Sequence, residues 1–274
     1  MIKSNYFPNI EFKTQDELFL KLKEYEKDII DFKCSQIYKS ADKGQAIKFV
    51  TIDAKENTEK ALFKAKDNFV YPIISSTNYM DSHDDVHLEG CFTKTAKERQ
   101  GKVFFVDTHG KKMSDIITRK SDIRMFVNDV DWKILGKEFD GKSQSLLFEI
   151  SRDKVRPDAL ELIDNEPDLE CSIEMRYIKM YLAVNSQDKY FAENKAFFDA
   201  NIDKIANKEL ALEKNYFFGV TELAIVNEGS LCPIVGGSNG ATRVYQNKQA
   251  EQSLENKEEP LQNTQTEKRK LSII

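Results

Sequence analysis

A general base working near neutral pH is most readily a histidine, and the chain has three: His83, His87 and His109. Two of them fall in Asp81-Ser82-His83-Asp84-Asp85-Val86-His87. In an extended backbone His83, Asp85 and His87 share one face, and a His-Asp-His set is able to hold a metal ion. No further ligand cluster accompanies them, so a polar turn entering a strand is the favoured reading, and neither a metal site nor an organic cofactor is expected. His109 has a different context. It closes the run Lys102-Val103-Phe104-Phe105-Val106-Asp107-Thr108-His109-Gly110, in which an apolar strand delivers a histidine to its end. Alternation places Val103, Phe105, Asp107 and His109 on one face, and a base at the mouth of a rigid strand is well positioned.

A second strand supplies candidate nucleophiles in Asp168-Leu169-Glu170-Cys171-Ser172-Ile173-Glu174-Met175-Arg176-Tyr177. Period two puts Cys171, Ile173, Met175 and Tyr177 on an apolar face and Ser172, Glu174 and Arg176 on a polar one. Cys171 therefore reads as a small buried hydrophobe, whereas Ser172 faces a surface where a substrate can lie. A serine becomes nucleophilic only with a base in reach, and the base needs an acceptor to fix its tautomer. Glu222 is the only ionisable group in Phe217-Phe218-Gly219-Val220-Thr221-Glu222-Leu223-Ala224-Ile225-Val226. It is either that acceptor, held by a partner, or a strand-edge carboxylate facing water.

These residues need elements to hold them. Residues 14–32 read as one amphipathic helix, opened by Thr14-Gln15-Asp16-Glu17 and carrying Leu18, Leu22, Tyr25 and Ile29 at helical spacing, with packing on its own domain favoured. Strand-like runs follow at 46–52, 69–75, 102–107, 123–127, 145–150, 170–184 and 217–226, with helical patterns near 92–99, 157–163 and 189–212. Strands outnumber helices without alternating with them, so the expected class is α+β: a β-barrel-like, mostly antiparallel core with peripheral helices. The organisation expected is a helical segment at 1–45, a main domain at 46–244 with a helical insertion near 187–216, and a disordered polar tail at 245–274.

Composition narrows the function classes. A net charge of −5 gives no whole-molecule footprint for nucleic acid, and no window reaches the length of apolar residues that a membrane span needs. Four scattered cysteines form no C-x-x-C pair, and the first residues have no apolar signal region, which fits a reducing, cytosol-like compartment. Gly236-Gly237 lacks the spacing of a phosphate cradle.

The order of the pieces resembles the prohead proteases of tailed phages, over roughly residues 70–240. Ser76-Thr77-Asn78-Tyr79-Met80-Asp81-Ser82-His83-Asp84-Asp85-Val86-His87-Leu88-Glu89-Gly90-Cys91-Phe92 is similar to that family's opening motif. The strand ending in His109 resembles its histidine strand, and 147–171 the segment leading to its serine. Cys171-Ser172-Ile173-Glu174-Met175 stands where the family has Leu-Ser-Ile-Gly-Phe, and Glu222-Leu223-Ala224-Ile225-Val226 where it has Glu-Val-Ser-Leu-Val. Three positions depart from the pattern: Glu174 and Asp84 each replace a glycine, and Met175 an aromatic residue.

The resemblance implies a serine endopeptidase of capsid maturation, related in fold to the herpesvirus assemblins. It would act in the host cytoplasm inside the immature head, cleaving scaffold, major capsid protein and itself. Ser172 would be the nucleophile, His109 the base and later the acid, and Glu222 the group orienting the imidazole, with Asp107 the runner-up. Arg176 or main-chain N–H groups would serve the oxyanion. Association of two chains is compatible with an assemblin relationship. The rival reading is a non-catalytic head-assembly or scaffold protein that keeps the protease fold and uses the 14–32 helix to bind capsid protein.

Overall fold

The structure, a computed structural model, describes residues 1–38, 65–166, 169–232 and 241–246. The expected strand at 46–52, the Gly236-Gly237 pair and nearly all of the expected tail lie outside the described residues, although Tyr245 itself belongs to a strand.

The N-terminal helical pattern is two helices, α1 (Gln15–Glu24) and α2 (Glu26–Ser35), rather than one. The Thr14 hydroxyl accepts the Glu17 N–H at 3.2 Å, and the Glu17 carboxylate reaches back to the Lys13 N–H at 2.7 Å, so the start is fixed as the sequence indicates. At Tyr25 the backbone leaves helical geometry, which re-aims α2 so that Lys33 becomes its buried residue. Phe12, Leu18, Phe19 and Leu22 enter the main core, so this segment packs on its own chain.

The strands are β1 (Phe69–Ser76), β2 (Asp85–His87), β3 (Phe104–Asp107), β4 (Ile116–Thr118), β5 (Ile123–Asp131), β6 (Lys142–Ser151), β7 (Glu170–Val184), β8 (Tyr216–Cys232) and β9 (Arg243–Tyr245). Between them stand α3 (Thr93–Glu98), α4 (Pro157–Asn165), with Pro157 in its first turn, and the insertion helices α5 (Ala192–Asn201) and α6 (Lys208–Lys214). One sheet is antiparallel throughout, in the order β5-β6-β1-β9. The other is organised on β8: β7 runs antiparallel along one edge, while β2 and β3 dock parallel on the other, at Phe218–Val220 and Glu228–Leu231. β4 extends β3 in the antiparallel sense.

The class is α+β, as expected, but the core is not a closed barrel among the described residues. The two sheets meet at a seam where the Thr242 hydroxyl bonds the Cys171 N–H and carbonyl and the Val244 N–H bonds the Leu169 carbonyl, and again where Ser75 of β1 meets His87 of β2. Elsewhere they face each other across apolar side chains, with the Phe105 and Phe148 rings 6.1 Å apart edge to face. The facing sheets come close at Gly229, where a Cβ would lie 2.8 Å from the Phe148 ring and 3.0 Å from Ile74. Because position 229 looks into the core, Glu228 and Ser230 look out of the opposite face. The insertion covers a separate small core of Met80, Val86, Phe198, Ile205 and Phe217.

Candidate functional site

The site is built where three strands lie side by side. In β7 Ser172 stands directly opposite Ser230 of β8, and opposed residues of an antiparallel pair point to the same side. On the other edge of β8, Val106 of β3 pairs with Ser230 and Asp107 with Leu231. Beyond Asp107 the chain turns sharply: Thr108 and His109 have φ of 42° and 57°, and the Gly110 N–H bonds the Asp107 carbonyl at 2.7 Å. His109 thus belongs to a turn rather than to the strand, and its direction is set by left-handed backbone instead of alternation. Two non-glycine residues in that region hold the chain in a costly conformation, of order 1–3 kcal/mol each, and the surroundings must secure it.

They do so through buried polar contacts. The His109 N–H donates to the Ser230 hydroxyl at 2.8 Å, and that hydroxyl donates to Glu228 Oε2 at 2.8 Å. Glu228 Oε1 lies 2.7 Å from His109 Nδ1, with both side chains about 5% exposed. An ionised carboxylate only accepts hydrogen bonds, so the neutral ring carries its proton on Nδ1 and presents Nε2 as the free acceptor. Nε2 is buried and has no hydrogen-bond partner. Ser172, part-exposed, occupies the strand next to this cluster on the same face of the sheet.

The expected orienting residue requires correction. Glu222 pairs with Lys94 at 2.8 Å, and in the ladder it stands opposite Lys179. By strand rise it lies roughly 20 Å along β8 from Glu228. Asp107 accepts from the Thr108 hydroxyl at 2.6 Å and sits 3.9 Å from Arg156, so it does not serve His109 either. Glu228 escapes notice in the sequence because the strand-like run ends at Val226, where Asn227 and Gly229 bring turn-forming residue types. The strand instead bulges: between the pairs Met175·Ile225 and Ile173·Gly229, one β7 residue opposes three of β8. Bulges re-aim side chains, and here the strand continues to Cys232 with Glu228 turned toward His109. The alternation Glu228, Ser230, Cys232 is the signal that was available.

Alongside lies a groove of about 520 Å³ whose lining includes Phe104, Val106, Lys111, Lys112, Glu174 and Glu228. Glu174 faces this groove while remaining 4% exposed. Arg176 stands opposite Ala224, about 13 Å along β7 from Ser172 by strand rise. Cys171 is buried in the core, and burial raises its thiol pKa well above the ordinary value, so it is no thiolate nucleophile.

The other two histidines do not join it. Asp85 bonds Lys33 Nζ at 2.6 Å, His87 Nδ1 lies 3.1 Å from the Ser75 hydroxyl, and the His83 ring lies 6.3 Å from that of Tyr38. The expected face of His83, Asp85 and His87 is therefore split among three neighbours. Among the described residues no three His, Cys, Asp or Glu side chains gather as a metal site. No helix among them is long and apolar enough to cross a membrane. Compared with protein-family models, with curated proteins and with solved structures, the chain matches none.

Proposed function

We propose that the protein is a serine endopeptidase of phage head maturation, with Ser172 as nucleophile, His109 as general base and Glu228 as the residue that orients it. The observation that carries this reading is the buried His109 Nδ1 to Glu228 contact of 2.7 Å, which leaves Nε2 free on the sheet face that also bears Ser172. A carboxylate, an imidazole and a hydroxyl in that order are the parts needed for acyl transfer. The resemblance to prohead proteases, carried on Ser172 and His109, supports the substrate class of scaffold and capsid-protein segments.

In the reaction Ser172 Oγ attacks the scissile carbonyl while its proton passes to His109 Nε2. The imidazolium that forms is held by Glu228, which accepts from Nδ1 throughout. The same Nε2 proton is then given to the leaving amine, and water repeats the sequence to release the acyl group. Substrate enters along the groove beside Phe104 and Glu174. The first step requires Ser172 Oγ to come within hydrogen-bond distance of Nε2 in the substrate complex.

The test is the intact mass of the wild-type chain and of Ser172→Ala after incubation with the matching capsid and scaffold proteins. Defined fragments in the wild-type sample alone are expected. Uncut proteins in both samples, with the same capsid protein cleaved in infected cells, would overturn the reading in favour of a head-assembly role without catalysis.

A further inference from the structure

We propose that Ser230 is a positioning residue of this site, clamping the main chain of the base to the carboxylate that orients its ring; the inference rests on the protease reading above. Its hydroxyl accepts from the His109 N–H at 2.8 Å and donates to Glu228 Oε2 at 2.8 Å, and Glu228 Oε1 returns to His109 Nδ1 at 2.7 Å. These three contacts close a ring that includes both the backbone and the imidazole of one residue. Nothing else in the cluster restrains all three groups at once.

Two features make the hydroxyl specific to the task. The turn it holds is left-handed at Thr108 and His109, so without a fixed partner for the His109 N–H the backbone has a lower-energy alternative and the ring loses its aim. The carboxylate, for its part, is buried with one oxygen on the histidine and the other on Ser230, which stops rotation about its last bond. Ser230 is itself 0% exposed and stands between Val106 of β3 and Ser172 of β7. It is not the nucleophile: its proton is committed to Glu228, and its contact with the base is to the main chain rather than to Nε2.

The experiment compares full-length wild type, Ser230→Ala and Ser230→Cys, the last close in size with a weaker donor, should the alanine variant fold poorly. On the fragment cut by wild type, kcat is expected to fall roughly 10- to 100-fold in Ser230→Ala with KM unchanged, the scale of removing a second-layer partner. Ser230→Cys falls between the two. The independent readout is the low-field proton resonance of His109 Nδ1–H, expected in wild type and in Ser172→Ala but lost or moved upfield in Ser230→Ala. A merely structural serine would lower the melting temperature yet leave kcat and that resonance in place, and this result overturns the proposal. Should wild type cleave nothing, the protease reading fails by that fact, while the resonance still decides whether the clamp exists.

Discussion

Two histidines are delivered to the same edge of β8 by two parallel strands, and only one of them is equipped for chemistry. β2 docks at Phe218–Val220 and ends in His87; β3 docks at Glu228–Leu231 and leads into His109. His87 is 1% exposed, with its ring edge-on to Phe92 and Tyr177, and burial alone pushes its pKa down to about 4. The acids close to it in the chain are engaged elsewhere: Asp85 by Lys33, Asp84 by Lys214 and the Tyr216 hydroxyl, Asp81 by the His83 and Asp85 N–H groups, and Glu89 by the Asn78 amide. His109 has instead its own carboxylate on one nitrogen, a second nitrogen without a hydrogen-bond partner, and a groove lined by that carboxylate, Glu228, and by its neighbour Gly110. Burial disfavours protonation of a histidine whose charged form has no partner, whereas a carboxylate on one ring nitrogen fixes the tautomer and supports the charge when the other nitrogen takes a proton. The larger groove of about 700 Å³, beside Tyr6, Phe32, Lys33 and His83, contains no comparable base and acid pair.

The comparison breaks first at Glu228. In Glu228→Gln the amide N–H₂ can donate to Nδ1, which moves the ring proton to Nε2 and blocks the nitrogen that must accept from Ser172. On the proposed mechanism we expect kcat to drop by roughly 10⁴-fold with the fold intact, the scale seen when the histidine of a Ser-His-Asp triad is held in the wrong tautomer. Measured on the capsid fragment, an activity within tenfold of wild type would remove Glu228 from the mechanism.

The other end of β8 answers in stability. Lys33, 5% exposed, is the partner of a carboxylate that is 1% exposed, and its ammonium also lies 5.2 Å from the Tyr6 ring centroid. Lys33→Met leaves Asp85 unpaired and is expected to cost about 3 kcal/mol in urea unfolding at neutral pH. Burial already raises the Asp85 pKa despite Lys33, so the folded state takes up its proton more readily than the unfolded chain. Without Lys33 that pKa rises further, so the loss should shrink as pH falls through the variant's higher value and level off once the wild-type carboxyl is neutral as well. A loss independent of pH would place the damage in packing rather than in charge.

His87 gives a smaller effect of opposite sign with pH. Its folded pKa of about 4 lies below the ordinary 6.5, so between those values the unfolded chain binds a proton that the folded chain refuses. Stability contributed by the neutral ring is whole above pH 6.5, declines as pH falls, and stops declining below about pH 4. At pH 5 the deficit is on the order of 2 kcal/mol. His87→Gln retains a polar group for Ser75 and should flatten the wild-type pH dependence by that amount, because Asp81 and Asp85 are common to both chains. An equal change in unfolding free energy between pH 7 and pH 5 in wild type and His87→Gln, read from denaturant titrations, would show that His87 is not the buried titrating group.

Much of this was legible in the sequence, and what was not has a physical reason. The β-rich run Glu170–Val184 gave the limits of β7, and alternation over Cys171–Tyr177 gave the polar face of Ser172, although register shifts break that alternation beyond Ile173. The helical character of the insertion was likewise readable, but as one stretch over 189–212, where the structure has α5 and α6 separated at 202–207. The bulge in β8 was not, because Asn227 and Gly229 carry turn chemistry that tertiary pairing overrides. Nor does any local rule put left-handed backbone at Thr108 and His109, neither being glycine. The parallel docking of β2 and β3 on one edge of β8 depends on contacts more than a hundred residues apart. Glu222 stood out for the apolar run around it, but its partner Lys94 comes from α3, far away in the chain.

Glu222 supplies the smallest effect and the closest control. It shares a strand with Glu228, and both are carboxylates paired at hydrogen-bond distance, yet one faces a lysine about a quarter exposed and the other a histidine about 5% exposed. A half-open ion pair of the first kind is worth little, within about 1 kcal/mol, because water and salt screen it and the lysine loses rotamer freedom to make it. Glu222→Gln should thus change stability by about 0.5 kcal/mol or less and leave kcat at the wild-type value, with any loss fading as salt is raised. Run beside Glu228→Gln under the same conditions, it separates the general cost of losing a carboxylate in β8 from the specific cost of losing the one on the base. A large fall in kcat from Glu222→Gln, with Glu228→Gln little changed, would exchange their roles.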